Sequence, residues 1–138
     1  MPDTIKLEVV TPERVVASED AEYIEMPGST GYLGILPGHA PLLTELSPGE
    51  ISYRVGNDTK RLAVGWGLAE VLPTQVTILA RVAERAEEID VSRAQAAKQR
   101  AEEALRLAGE SGDLEAQTAL ERATARLQVA GRKIDTTH

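Results

Sequence analysis

Four arginines in the last third of the chain have the type and spacing for anion chemistry. Arg93 and Arg100 are seven residues apart, and Arg122 and Arg126 are four apart. Residues 86–138 hold six Arg against two Lys, and the planar guanidinium fork matches phosphate and carboxylate where an ammonium acts only as a point charge. The plainer reading of each one is a solvated residue answered by a neighbouring glutamate. Other groups offer less. The two histidines, His39 and His138, are too few for a histidine metal site, so no metal is expected. His39 sits in Gly34-Ile-Leu-Pro-Gly-His-Ala-Pro-Leu-Leu-Thr-Glu-Leu-Ser-Pro-Gly-Glu50, a proline-bounded turn where a lone histidine reads as a structural or interface residue. Glu87-Glu88 and Glu102-Glu103 read as solvated faces. Gly65-Trp66-Gly67-Leu68-Ala69-Glu70 has glutamate where a dinucleotide fingerprint needs its third glycine, and no glycine-rich stretch ends in Gly-Lys-Ser/Thr. No catalytic residue is assigned, and a non-enzymatic role is expected.

Two kinds of element must carry these residues. Up to about residue 84 the apolar period is two: Ile5, Leu7 and Val9; Ile51, Tyr53 and Val55; Val76, Ile78, Ala80 and Val82. Turn signals at Pro27-Gly28-Ser29, Gly56-Asn57-Asp58 and Pro73-Thr74-Gln75 separate the runs. Short strands this closely spaced predict an antiparallel sandwich or flattened barrel. From Val91 the period becomes helical. Asp90 is placed as an N-cap, with Ile89 and Ala94 as a staple, for a helix running to Ala108 and stopped by Gly109. Asp113 caps a second helix and Gly131 is placed to end it, so the pair forms an antiparallel hairpin. Its seam is mostly alanine: Ala94, Ala97, Ala101, Ala104 and Ala108 face Ala116, Leu120, Ala123, Leu127, Ala130 and Ile134. Small residues bury little, roughly 0.8 kcal/mol per methyl-sized group, so the hairpin is expected to be ordered without being strongly held.

The domains are therefore expected at 1–85 (β) and 86–138 (helical). Aromatic residues are 3% of the chain and Phe is absent, so the core must be aliphatic. Cysteine is absent as well, which fits a reducing compartment. A net charge of −7 argues against nucleic acid as a partner. No apolar run approaches the roughly 18–20 residues of a membrane span, and the expectation is a soluble chain without an export signal.

The order Gly31-x-x-Gly34-Ile-Leu-Pro37-Gly38-His39-Ala40-Pro41-Leu42-Leu43-Thr44, followed by Pro48-Gly49, resembles the signature of the F-type ATP synthase epsilon subunit family. Leu-Glu-Val-Val-Thr-Pro-Glu-Arg-Val-Val near the start, Val64–Val71, and Val-Thr-Ile-Leu-Ala at 76–80 are similar too, and the likeness runs to Lys133. It implies a ten-stranded flattened β-sandwich followed by two antiparallel helices. It also implies the gamma subunit, the c-ring and the β and α subunits of the catalytic head as partners, on the cytoplasmic face of a bacterial inner membrane without direct insertion. Gly34, Pro37, His39, Pro41 and Leu42 would then belong to a partner interface. Ile89-Asp90-Val91-Ser92-Arg93-Ala94 is similar to a motif that binds ATP in some family members. By the same resemblance Glu84, Arg100, Arg122 and Arg126 join Ile89, Asp90, Arg93 and Ala94 as nucleotide-binding residues, with ATP a regulatory ligand and no tightly bound cofactor. In an extended hairpin, Arg122, Arg126, Arg132 and Lys133 would meet acidic segments of the head and inhibit hydrolysis. The competing class is a free-standing nucleotide-binding or adaptor protein outside any rotary complex.

Overall fold

The structure is a computed structural model that describes residues 3–131 and the backbone of Asp135–Thr136. Ten strands form the β portion: β1 Ile5–Val10, β2 Val15–Ala21, β3 Tyr23–Gly28, β4 Gly31–Ile35, β5 Leu42–Leu46, β6 Gly49–Val55, β7 Asp58–Val64, β8 Gly67–Val71, β9 Gln75–Ala80 and β10 Ala83–Arg85. They run in one hydrogen-bonded path, β10-β7-β6-β3-β5-β8-β9-β1-β2, with β4 beside β3. The path folds over until β2 stands against β6 and β10, giving a nearly closed sandwich. A short further strand, β11 Asp135–Thr136, pairs with the start of β7.

The alternation read from the sequence is what fills this sandwich. Ile5, Leu7 and Val9 of β1, Ala69 and Val71 of β8, and Val76 and Ile78 of β9 have no solvent exposure. Ile24, Met26, Ile35, Leu46, Ile51 and Leu62 join them in a core that is aliphatic apart from Tyr53. Three details differ from the period-two reading. β9 stops at Ala80, and Val82 is exposed in a turn fixed by Arg81 N–Trp66 O (2.8 Å) and Gly65 N–Val82 O (2.9 Å). The pairing is not wholly antiparallel, because β1 runs parallel to β9, Leu7 opposite Val76. Pro27 and Gly28 lie within β3, so that turn falls later.

Two helices follow, α1 Val91–Ala108 and α2 Leu114–Ala130. The Asp90 carboxylate accepts the Arg93 amide at 3.1 Å and that of Asp113 accepts Ala116 N at 3.0 Å, each taking up one orphan donor of a first turn. Gly109 ends α1 with φ 59°, the left-handed conformation that glycine adopts without strain. Between the helices Ala94, Ala101, Ala116 and Ala123 are buried. Only α2 makes an extensive contact with the sandwich, on β6 and β7, while α1 packs on α2. That contact is a small cluster of Val129 and Ala130 with Ala63, Ala86 and Ile89. The heptad stripe held only one residue of α2's share, Ala130, and assigned it to the inter-helix seam, whereas it packs on the sandwich; Val129 lies outside the stripe.

Candidate functional site

The helix seam opens into a groove of about 360 Å³. Arg100 of α1 and Arg122 and Arg126 of α2 all line it, over a floor that includes Ala97, Ala101 and Ala123. Residues four apart on a helix share a face, which brings Arg122 and Arg126 to the same wall. Arg122 and Arg126 also border a smaller niche against the sandwich, formed with Gly65, Val82 and Glu84. Across that niche Arg126 Nε donates to Glu84 Oε1 at 2.6 Å. Both side chains keep about a third of their exposure or less, so the bond ties α2 to β10. Arg100 and Arg122 make no ion pair among the described residues.

The remaining residues of the predicted set are placed differently. Arg93 is exposed on the first turn of α1 and does not line the groove. Asp90 already serves as the N-cap, Ile89 is buried in the cluster under α2, and Ala94 is buried in the seam. The groove is not uniformly basic, since Asp113 and Glu115 line it as well. They lie at the start of α2, so an anion is favoured at the Arg122–Arg126 end, where opposite charges are nearest. Arg132 and Lys133, of the predicted inhibitory set, lie outside the described residues.

The proline-rich turn is a second locus. Gly34 lies in β4, Leu42 opens β5, and Pro37, His39 and Pro41 fall in the connection between them. Gly38 adopts φ 87°, and its amide bonds Pro73 O at 2.8 Å while His39 N bonds Leu36 O at 3.1 Å. His39 Nδ1 lies 2.7 Å from Ala40 O, a contact in which a protonated Nδ1 donates. The β4–β5 turn is thus tied to the β8–β9 turn, and Leu36 and Leu72 stand exposed there. On the outer face of β5, β8 and β9, Leu43 is 72% exposed, with Leu68 and Leu79 cross-strand partners in the same sheet. The sequence reading missed Leu68, Leu72 and Leu79; for Leu68 and Leu79 the signal available was a leucine at the polar phase of an alternating strand, and Leu72 follows the end of β8.

The root of the hairpin carries a clasp, also unseen in the sequence. Glu88 lies in the turn between β10 and α1, and its Oε1 accepts Arg14 Nη2 at 2.9 Å and Arg85 N at 2.9 Å. Its Oε2 lies 2.8 Å from Arg14 Nη1. The Arg14 guanidinium is the main cause of a Glu88 pKa lowered to about 2, with the Arg85 hydrogen bonds assisting. A depressed carboxylate stabilises the fold fully above its unfolded value and loses that contribution as pH falls through the folded one. The clasp should therefore weaken between about pH 4.5 and 2. An NMR titration of the Glu88 carboxyl should place it near the lower value, and Arg14→Gln should move it up. An ordinary glutamate titration in the unchanged chain would show that the clasp does not form.

Two family descriptions cover nearly all of the chain. "ATP synthase, Delta/Epsilon chain, beta-sandwich domain" matches residues 4–86, and "ATP synthase, Delta/Epsilon chain, long alpha-helix domain" matches residues 87–131. The ATP synthase epsilon chain of Koribacter versatilis is 62% identical over 109 residues, which is 79% of this chain and 77% of that one. The ATP synthase epsilon chain of Syntrophobacter fumaroxidans is 53% identical over 133 residues, covering 94% and 98%. Among solved structures, a chain of the Euglena gracilis mitochondrial ATP synthase (OSCP/F1/c-ring in rotational state 1) superposes with a TM-score of 0.80. At 24% identity over 94% of this chain and 82% of that one, the likeness is one of fold.

Proposed function

The chain belongs to the ATP synthase delta/epsilon family, and from that premise we propose that it is the epsilon subunit of a bacterial F-type synthase. It is a non-catalytic part of the central stalk that couples the rotor to the catalytic head and brakes ATP hydrolysis with its helical hairpin. One observation carries the braking part of the reading. Of the two helices only α2 packs extensively on the sandwich, and its apolar contact there is a five-residue cluster that is mostly alanine. Such a contact buries little apolar surface compared with the twenty-residue core of the sandwich, so the hairpin can leave while the sandwich stays folded.

In the docked state the arginine groove takes ATP, with Arg122 and Arg126 on the phosphates. A ligand that binds only the docked state favours it by RT ln(1 + [L]/Kd), about 1.4 kcal/mol at tenfold excess over Kd. In the extended state the same arginines, with Arg132 and Lys133, reach acidic segments of the β and α subunits. The linked turns carrying Leu36, Pro37, His39, Pro41 and Leu72 seat on the c-ring, and the exposed leucines of β5, β8 and β9 seat on gamma. No described helix is long and apolar enough to cross a membrane, and attachment to the cytoplasmic face of the inner membrane runs through these partners.

Deleting residues 90–138 is the test. The shortened chain should still bind gamma, and the assembled head should hydrolyse ATP several-fold faster. Unchanged hydrolysis with gamma bound would leave a coupling subunit without a brake.

A further inference from the structure

The sandwich face beneath the last turns of α2 is not the apolar surface expected of a permanently covered one. Glu50 on β6 and Arg61 on β7 lie diagonally on the same ladder, where Glu50 faces Ala63 and Ser52 faces Arg61. Arg61 Nε stands 3.4 Å from Glu50 Oε1, and the side chains keep only 10% and 9% of their exposure. The cover is α2. Gln128 Nε2 donates to Glu50 Oε2 at 3.5 Å, and Val129 and Ala130 pack on Ala63, the residue opposite Glu50. Tyr32 Oη accepts the Glu50 amide at 3.1 Å, which fixes the backbone from which the carboxylate projects.

Docking the hairpin therefore takes the Glu50 carboxylate, ion-paired with Arg61, further from water. The desolvation of such a pair can exceed its mutual attraction, and replacing it with apolar residues of similar size is often stabilising. Water returning to the pair when α2 lifts recovers that cost. The Val129–Ala130 cluster pulls the other way.

We propose that the Glu50–Arg61 pair is a release element, which keeps the docked and lifted states of the hairpin close in free energy. The inference rests on the reading that the hairpin lifts from the sandwich, and it assigns that balance to two residues outside the arginine groove.

The test is amide hydrogen exchange by NMR on the full isolated chain, comparing α2 amides such as Val129 with sandwich amides such as Ile78. In the unchanged chain the α2 amides should exchange faster than the sandwich amides, through a local opening. In E50M/R61M the α2 amides should gain about tenfold in protection while the sandwich amides hold steady. In R61M alone they should lose protection, since Glu50 is left covered without its guanidinium. E50Q/R61Q, which removes the charges and keeps polar side chains at both positions, should shift protection in the same direction as the apolar pair and serves should that pair fail to fold. Protection in both neutral pairs equal to or below that of the unchanged chain overturns the proposal. So do α2 amides that exchange only when the sandwich unfolds. Failure of the brake shows elsewhere, as unchanged hydrolysis after hairpin deletion, so the two ideas fail separately.

Discussion

Gly67→Ala is expected to lower the unfolding free energy of the sandwich by about 3 kcal/mol, the upper part of the usual range for overpacking. A β-carbon at Gly67 would stand 2.6 Å from the Leu79 carbonyl oxygen and 3.1 Å from the Ala80 Cα. Both are backbone atoms of the paired strand β9, so no side-chain rotation relieves the clash. Strands β8 and β9 would have to part at the Gly67–Ala80 pair, beside Ala69 and Ile78 in the fully buried core. Gly65, two residues earlier in the same run, is the internal control. Its β-carbon would meet the Val82 side chain at 3.4 Å and Arg122 Cδ at 3.5 Å, ordinary contacts, so Gly65→Ala should stay within about 0.5–1 kcal/mol. Urea unfolding of the two variants, with unchanged slopes, measures the contrast. Near-equal midpoints would show that the β8–β9 approach is looser than the structure has it.

That pair of glycines also shows what was legible in the sequence and what was not. The run was readable as something other than a dinucleotide fingerprint, because glutamate stands at Glu70. Its actual requirement, a backbone approach between strands, depends on which strand lies alongside, and that is set by closure of the sandwich. For the same reason the strands were legible from their period of two while the parallel β1–β9 pairing was not: its partners lie about seventy residues apart. The hairpin could be read closely because its signals are local. Asp90, Gly109 and Asp113 act within a turn of themselves, and α1 begins and ends where they place it.

Charges behave likewise. Arg122 and Arg126 are neighbours by helical geometry alone, and their shared wall was foreseeable. Arg126–Glu84, Arg14–Glu88 and Glu50–Arg61 span tertiary distance, and nothing in the local sequence of Glu50 or Arg14 marks them. These three pairs all join the sandwich to the hairpin or its root, or lie beneath the hairpin. The β-to-helix boundary thus carries its specificity in long-range ion pairs, the class of contact that periodicity does not reveal.

The largest effect on ligand binding is expected from the double substitution Arg122→Ala/Arg126→Ala. Charge-assisted hydrogen bonds are worth about 1.5–3 kcal/mol each, so removing one arginine should weaken ATP binding about tenfold and removing both about a hundredfold. Glu84 occupies Arg126 Nε, which holds the guanidinium in place, and its Nη groups make no hydrogen bond among the described residues. They remain for a phosphate at the groove. Arg93→Ala separates two expectations. The motif resemblance includes Arg93 among the nucleotide-binding residues, whereas its side chain lies on the exposed first turn of α1, outside the groove lining. Its loss should therefore cost less than that of Arg126. Arg106→Ala is the neutral control, because Arg106 pairs with Glu103 on the exposed face of α1. Calorimetry of the full chain with ATP reads the double variant, Arg126→Ala, Arg93→Ala and Arg106→Ala against the unchanged protein. Equal losses for Arg93 and Arg126 would mean that ATP draws the start of α1 over the groove. An absence of binding heat in the unchanged chain would remove ATP as its ligand and leave the docked hairpin governed by its own contacts.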